Sequence, residues 1–251
     1  MGDKRDADRS EYEGIAIHRS LRTNEESENP RAQAREMRTI ATFVLAFLAC
    51  IASAGAAPSL QGDVIVVDPG HGTRFADGSP LNVGAVGIGG LQEQNVVLDV
   101  AEDLASLLRA AGARVVLTRS HAVPYRVATD KRLDNRARAA LANRLHATAF
   151  VAIHADASLA RASHGTSVFW LRPNSAPLAK AVRARLAPLG LGESAFYRRD
   201  LAVTSEARVP AVLVEIGFVT NPREARLLGD PRFRGREAQA LFNAIADTFA
   251  R

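Results

Sequence analysis

Apolar and polar positions follow two alternating patterns along the chain from residue 62 onwards. Short apolar runs such as VIVVD and AVLVEIGF are typical of buried strands, whereas apolar residues between Gln92 and Ala111 recur with helical spacing. Strands separated by helices predict an α/β fold, a single domain with a mostly parallel or mixed central sheet flanked by helices. The pattern predicts strands at 64–68, 113–119, 148–154, 166–171, 200–204 and 211–218, and helices at 92–111, 131–146, 175–186, 222–229 and 233–250.

The first 57 residues do not share this pattern. Residues 1–36 are polar and lack apolar periodicity, which predicts disorder, or an extension upstream of a true start codon at Met37. Residues 37–57 hold one early arginine, a short apolar stretch and then small residues, the layout of a secretory signal peptide, whereas a membrane span needs ~20 apolar residues. We therefore expect export to the periplasm or cell wall. An uncleaved anchor is an alternative, and Cys50 only loosely matches a lipoprotein cleavage site.

Composition narrows the kinds of site that the chain can build. With 251 residues, 47% hydrophobic and 24% charged, the chain is an ordinary globular protein with enough residues for one full core. The single cysteine, Cys50, excludes an intramolecular disulfide framework and a zinc site made of several thiolates. A metal site here must therefore use histidine and carboxylate ligands.

Charge is unevenly placed along the chain. The net charge is +5, and residues 58–251 alone hold 24 Lys/Arg against 18 Asp/Glu, which favours polyanionic surroundings. No aromatic-studded RNA-binding strand is present, and the arginines of helix 131–144 are interpreted as a solvated helix face. We expect no nucleic-acid partner.

Four residues suited to catalysis lie at the ends of predicted elements or inside an apolar run. His71 follows the first strand between two glycines, Glu93 opens the long helix, and His154 ends a strand. Each has an ordinary structural explanation when taken alone: a loop histidine, an acidic residue in a first helical turn, a strand histidine bonded to a carbonyl. Glu215 lies within AVLVEIGF, where an unpaired carboxylate would cost several kcal/mol, so it needs a metal, a metal-bound water or a cation nearby.

Taken together, the four residues favour a metal site. Two imidazoles and one carboxylate make a zinc site with an open fourth position, and a further buried carboxylate is what metal-assisted hydrolysis needs as a proton shuttle. Asp68, just before Pro69, is a candidate hydrogen-bond partner for a ligand histidine.

Seven motifs in a fixed order resemble the zinc-dependent N-acetylmuramoyl-L-alanine amidases. They are VVDPGHG, GAVGIGGLQEQNVVLDVA, VVLTRS, RAALAN, FVAIHADAS, GTSVFWL and VPAVLVEIGFVTNP, and they span about residues 62–250. Members of this family cleave the amide bond between N-acetylmuramic acid and L-alanine in peptidoglycan. The resemblance implies a catalytic domain at 62–250, one Zn²⁺ per chain bound by His71, Glu93 and His154, and Glu215 as the catalytic carboxylate.

Two positions depart from the family pattern, and some alternatives stay open. Thr73 stands where a second glycine is usual and Asp156 where Asn is usual, which affects loop shape and substrate contacts rather than the ligands. The 60 residues between His154 and Glu215 leave little room for the helical insertion that blocks the site in some relatives, so we expect a site that is open without an activator. We also expect a monomer. Whether a protein activator exists stays open.

Two other functions remain as alternatives to the amidase. A zinc peptidase that acts on the peptidoglycan stem peptide would use the same chemistry on another bond. A non-catalytic peptidoglycan-binding regulator would keep the fold without activity, but retention of Glu215 with all three ligands argues against it.

Overall fold

The computed structural model describes residues 58–122 and 126–251. The chain divides into Met1–Gly55 and Ala56–Arg251, and the described residues belong to the second unit. The predicted disorder at 1–36 and the predicted signal segment at 37–57 therefore lie outside the described residues. Within the described part of the chain, no helix is both long and apolar enough to cross a membrane.

Strands form a central six-stranded sheet and a small three-stranded sheet. In chain order the described strands are β1 (Val64–Pro69), β2 (Thr73–Arg74), β3 (Pro80–Asn82), β4 (Arg114–Leu117), β5 (Arg126–Val127), β6 (Ala149–Asp156), β7 (Thr166–Trp170), β8 (Glu193–Arg198) and β9 (Ala211–Phe218). The central order is β4-β1-β6-β9-β7-β8, and the small sheet is β3-β2-β5. Strands β4, β1, β6 and β9 pair in parallel, whereas β7 runs antiparallel to β9 and parallel to β8. The predicted α/β fold with a mixed sheet is confirmed.

Helices cover both faces of the central sheet. In chain order the described α-helices are α1 (Glu93–Ala110), α2 (Lys131–Arg144), α3 (Ala176–Leu186), α4 (Ala202–Glu206), α5 (Pro222–Gly229) and α6 (Pro231–Phe249). Alternation along β1 divides its side chains between two cores, because successive strand residues point to opposite faces. Ile65 and Val67 join the core under α1, α3 and α6, whereas Val66 joins the core under α2 and α4.

Helix starts follow simple capping chemistry. The side chain of Asp130 accepts hydrogen bonds from the backbone N–H groups of Arg132 and Leu133, and Asn221 does the same at the start of α5. Helix α6 begins at Pro231, two residues before the predicted start, because Asp230 caps it and proline suits the first helical position.

The predicted strand at 200–204 is wrong. Those residues lead into helix α4, where Val203 and Thr204 are buried and the hydroxyl of Thr204 accepts a hydrogen bond from the N–H of Leu201. The strand that pairs with β7 is instead β8, which the sequence pattern did not predict. Strand β8 is an edge strand with mostly exposed, polar residues, so it lacks the apolar alternation that identifies a half-buried strand.

The carboxyl ends of β1, β6 and β9 meet at one edge of the sheet. These strands are neighbours and run in parallel, so the segments that follow Pro69, Asp156 and Phe218 leave the sheet side by side. Residues His154 and Glu215 are register partners across β6 and β9. In open α/β sheets this edge is where ligands bind.

Candidate metal centre and active site

His71 lies in a sharp turn directly after β1. Its φ is 63° and that of Gly72 is 71°, so two successive residues adopt the left-handed conformation and the chain reverses. The ring is held by Asn82, whose Oδ1 lies 2.7 Å from His71 Nδ1. Because an amide oxygen only accepts hydrogen bonds, Nδ1 carries the proton and Nε2 is left with a free lone pair, the form in which histidine binds a metal.

Glu93, the first residue of α1, is buried, and backbone N–H groups from two different segments hold it. The Ala85 N–H donates to Oε2 at 2.8 Å, and the Ala155 N–H donates to Oε1 at 3.1 Å. Burial opposes ionisation, but the adjacent imidazoles of His154 and His71 outweigh it and lower the pKa of Glu93 well below its usual range. Glu93 is therefore an ionised carboxylate with a fixed orientation.

His154 completes a compact group of three donor atoms. Its Nδ1 lies 3.0 Å from His71 Nε2 and 3.3 Å from Glu93 Oε1, and the latter two atoms are 2.7 Å apart. Zinc bound at about 2.0–2.1 Å in a tetrahedral site separates its ligand atoms by roughly 3.3 Å. The three atoms converge at close to this spacing, and two imidazoles with one carboxylate are a donor set that zinc accepts.

Glu215 lies on β9 beside His154 and has a different environment. Its Oε2 atom is enclosed and has no hydrogen-bond partner among the described residues. Burial is the largest cause that raises the pKa of Glu215 well above its usual range, and the negative charges of Glu93 and Asp156 add to it, while Arg199 opposes. The structure thus places one ionised and one protonation-prone carboxyl group at the same sheet edge.

Several contacts at this edge were not predicted from the sequence. Asn82, which orients His71, lies in a glycine-rich stretch with no periodic signal. The carboxylate of Asp68 bonds the Thr118 hydroxyl and, at 2.9 Å, the Arg138 guanidinium instead of a ligand histidine. Arg199, which follows the unpredicted strand β8, lies over the ring of Phe169 at 5.2 Å and acts on the pKa of Glu215.

The helix interpreted as a solvated basic face contains a buried arginine. Arg138 on α2 is fully buried and makes ion pairs with Asp68 and Asp134, each at 2.9 Å. For Arg138 the solvated-face interpretation is wrong. A guanidinium can be buried when carboxylates neutralise it and its donors are all used, which the sequence pattern alone does not reveal.

A cleft of about 240 Å³ lies among the loops that follow β6 and β9 and the segment before α1. Three of its apolar side chains, those of Val86, Ile88 and Leu159, are exposed to solvent. The Ile88 N–H donates to the Val219 carbonyl at 3.0 Å, which ties the segment before α1 to the end of β9. The lining residues are Val86, Gly87, Ile88, Ser158, Leu159, Arg161 and Thr220.

Comparison with known proteins gives a consistent result. Residues 65–247 match the family described as N-acetylmuramoyl-L-alanine amidase. The chain is 29% identical over 194 residues to the probable cell wall amidase LytH of Staphylococcus epidermidis, and the match covers 76% of this chain. It spans only 60% of the length of that relative.

Two solved structures share the fold. The catalytic domain of CwlV, an N-acetylmuramoyl-L-alanine amidase from Bacillus (Paenibacillus) polymyxa var. colistinus, is 33% identical with a TM-score of 0.64, covering 74% of this chain and 97% of that one. The N-acetylmuramyl-L-alanine amidase Ami1 from Mycobacterium smegmatis is 27% identical with a TM-score of 0.66, covering 76% and 98%.

Proposed function

Because this chain belongs to the N-acetylmuramoyl-L-alanine amidase family, we propose that it hydrolyses the amide bond between N-acetylmuramic acid and L-alanine in peptidoglycan. The observation that carries the proposal is the convergence of three donor atoms, from His71, Glu93 and His154, next to a carboxyl group without a hydrogen-bond partner among the described residues. This pairing is what metal-assisted hydrolysis requires.

We propose that His71 Nε2, Glu93 Oε1 and His154 Nδ1 hold one zinc ion per chain. The tautomer set by Asn82 leaves a lone pair on His71 Nε2, and ionised Glu93 offers one on Oε1, while His154 would bind through Nδ1 as a neutral imidazole. When bound, zinc supplies Lewis acidity, which polarises a carbonyl group and acidifies water. The three residues also fix where the scissile amide must lie, because a substrate oxygen can enter only at the position that the protein leaves open.

Glu215 is proposed as the group that moves the proton. Its Oε2 is enclosed without a hydrogen-bond partner among the described residues, so we assign the proton transfer to Oε1. There it takes a proton from the attacking water and delivers it to the nitrogen of L-alanine as the amide bond breaks. A raised pKa suits this double role, because the carboxyl group can hold the proton between the two steps.

Product analysis of digested peptidoglycan tests this proposal. The amidase reaction releases intact glycan strands and stem peptides with a new L-alanine amino terminus, it stops with a chelator, and zinc restores it. Cleavage within the stem peptide would identify the zinc peptidase instead. Binding to peptidoglycan without any product, with zinc present, would identify a non-catalytic regulator and contradict the proposal.

We further propose that the enzyme acts in the cell wall, as a monomer. A relative named as a cell wall amidase supports the location, and the basic body of residues 58–251 suits an anionic polymer. Export by the segment at 37–57 remains a prediction. Amino-terminal sequencing of the native protein tests it, since a mature chain that still carried residues 1–36 would contradict a start at Met37.

A further inference from the structure

The turn that carries His71 directs three consecutive backbone carbonyls into the protein. They belong to Pro69, Gly70 and His71, at the end of β1, where the chain passes into the left-handed conformation. Only glycine adopts this conformation without a steric penalty, so His71 stays in it only if surrounding contacts hold it there. Buried carbonyls also need hydrogen-bond donors.

Two buried arginines supply those donors. Arg138 donates to the Pro69 carbonyl at 3.0 Å and to the His71 carbonyl at 2.8 Å. Arg119 donates to the Pro69 carbonyl at 3.0 Å and to the Gly70 carbonyl at 2.7 Å. Each carbonyl of the turn therefore has a guanidinium donor from outside the turn.

Each arginine also makes hydrogen bonds to residues outside the turn. The remaining donors of Arg138 reach Asp134 and Asp68, each at 2.9 Å, and the Thr73 hydroxyl at 2.6 Å, so all five N–H groups are used. Arg119 also donates to the Gln94 carbonyl at 2.7 Å, in the first turn of the helix that begins with Glu93. Arg119 thus links the segment of one proposed ligand to the helix of another.

The turn is closely packed at its two glycines. A Cβ atom added to Gly72 would lie 2.6 Å from Arg119 Nε, and one added to Gly70 would lie 2.4 Å from the His154 ring. Lysine offers a single nitrogen on a flexible stem, so it cannot bridge two carbonyls and a carboxylate as a planar guanidinium does.

We propose that Arg119 and Arg138 are positioning residues that set the direction of the His71 imidazole, and with it the affinity of the centre for metal. They make no hydrogen bond to the three donor atoms. They act through the backbone of the turn, and the inference rests on the zinc site proposed above. Substitution of residues that orient a metal ligand without binding the metal typically lowers metal affinity or activity by about 10- to 100-fold.

The test compares Arg138→Lys and Arg119→Lys with Arg234→Lys in the full-length chain. Arg234 is a matched control, because this largely buried arginine also bonds a carboxylate and a backbone carbonyl, those of Asp99 and Leu228. Zinc dissociation constants are measured by chelator competition well below each melting temperature. Cobalt(II) replaces zinc in a second measurement, since its visible absorption reports ligand geometry.

The expected result is weaker zinc binding, by about 10-fold or more, and an altered cobalt spectrum in the two turn variants, with both readouts unchanged in Arg234→Lys. If the turn variants melt earlier but keep the parent's zinc affinity and cobalt spectrum, the arginines only stabilise the fold and the inference is wrong. If one turn variant does not fold, the other decides. If neither folds while the control does, the pair supports the whole domain and the inference is also wrong. A parent chain that binds no zinc would instead contradict the proposed function.

Discussion

Replacing Glu215 by glutamine should abolish turnover and, in the zinc-free protein, raise stability. Loss of a general base typically costs roughly 10² to 10⁴ in rate, so amide hydrolysis should fall close to background. The gain in stability follows from the raised pKa of Glu215, whose Oε2 is enclosed without a partner among the described residues. The carboxyl group of Glu215 ionises at a lower pH in the unfolded chain than in the folded protein. Its ionisation therefore stabilises the unfolded state.

The sign and size of that gain depend on pH. The unfolded carboxyl group ionises near its ordinary value of 4.5, whereas the folded one does so only at a higher pH, so the stability cost is absent below about pH 4 and grows as pH rises. At pH 7 the cost cannot exceed about 3 to 4 kcal/mol, since each of the 2.5 pH units above 4.5 contributes about 1.4 kcal/mol. Glutamine keeps a polar group in the same place, so a gain of roughly 1 to 2 kcal/mol is expected, or about 2 to 8 °C in Tm.

Glu224→Gln is the matched control for this experiment. Glu224 is also buried, but its two oxygens accept hydrogen bonds from the N–H groups of Gly165 and Phe218, at 2.8 and 2.7 Å. The same substitution there turns one acceptor into a donor that faces an N–H group, so it should lower stability by about 1 to 3 kcal/mol.

Thermal melts at pH 4.5 and 7 with a chelator, zinc content and turnover are measured on one preparation of each variant. A Glu215→Gln protein that melts earlier than the parent, yet hydrolyses peptidoglycan normally while folded, would refute both the catalytic role and the electrostatic reasoning. Lost turnover with an unchanged pH dependence of stability would refute the electrostatic reasoning alone.

Three other substitutions, one of them with a control variant, test the centre and the core around it. His71→Ala should leave far less than about one zinc per chain, and full zinc content in elemental analysis would contradict its role as a ligand. Glu237→Met should raise stability by an amount that grows as pH rises above about 4.5, because burial raises the pKa of Glu237, whose two oxygens lack hydrogen-bond partners among the described residues. A difference in denaturation midpoint that does not change with pH would contradict this. Gly70→Ala should weaken zinc binding, since the added Cβ would lie 2.4 Å from His154 Cε1. The control Gly235→Ala, in an open position of α6, should only add about 1 kcal/mol of stability. Equal zinc affinities of the two variants in a chelator titration would contradict the steric argument.

The fold was largely predictable because most strands and helices carry a strong hydrophobic period. Strands β1, β6 and β9 are buried apolar runs, and helix α1 shows one continuous apolar face. Prediction failed for residues 193–206, where an exposed edge strand precedes a five-residue helix. Both elements are defined by tertiary pairing rather than by local preference, so their sequences carry little signal.

The candidate residues could be found from the sequence, but the contacts that set their chemistry could not. Ends of parallel strands meet at one edge, so His71, His154 and Glu215 could be placed together from topology alone. Asn82, which fixes the His71 tautomer, comes from a different sheet. Arg138, which supports the same turn, comes from a helix 67 positions further along the chain. Such contacts depend on the packed structure, and no hydrophobic period in the sequence indicates them.

The two glutamates of the centre show why residue type alone does not assign roles. Glu93 receives N–H groups from Ala85 and Ala155, and its pKa falls despite burial. Glu215 receives no such donor from the described residues, and its pKa rises. A carboxylate held ionised by adjacent imidazoles suits a metal ligand, whereas one that gains a proton readily suits proton transfer. The division of labour between two identical side chains is therefore set by their surroundings: the imidazoles of His71 and His154 lie beside Glu93, whereas Glu215 is buried near two other carboxyl groups.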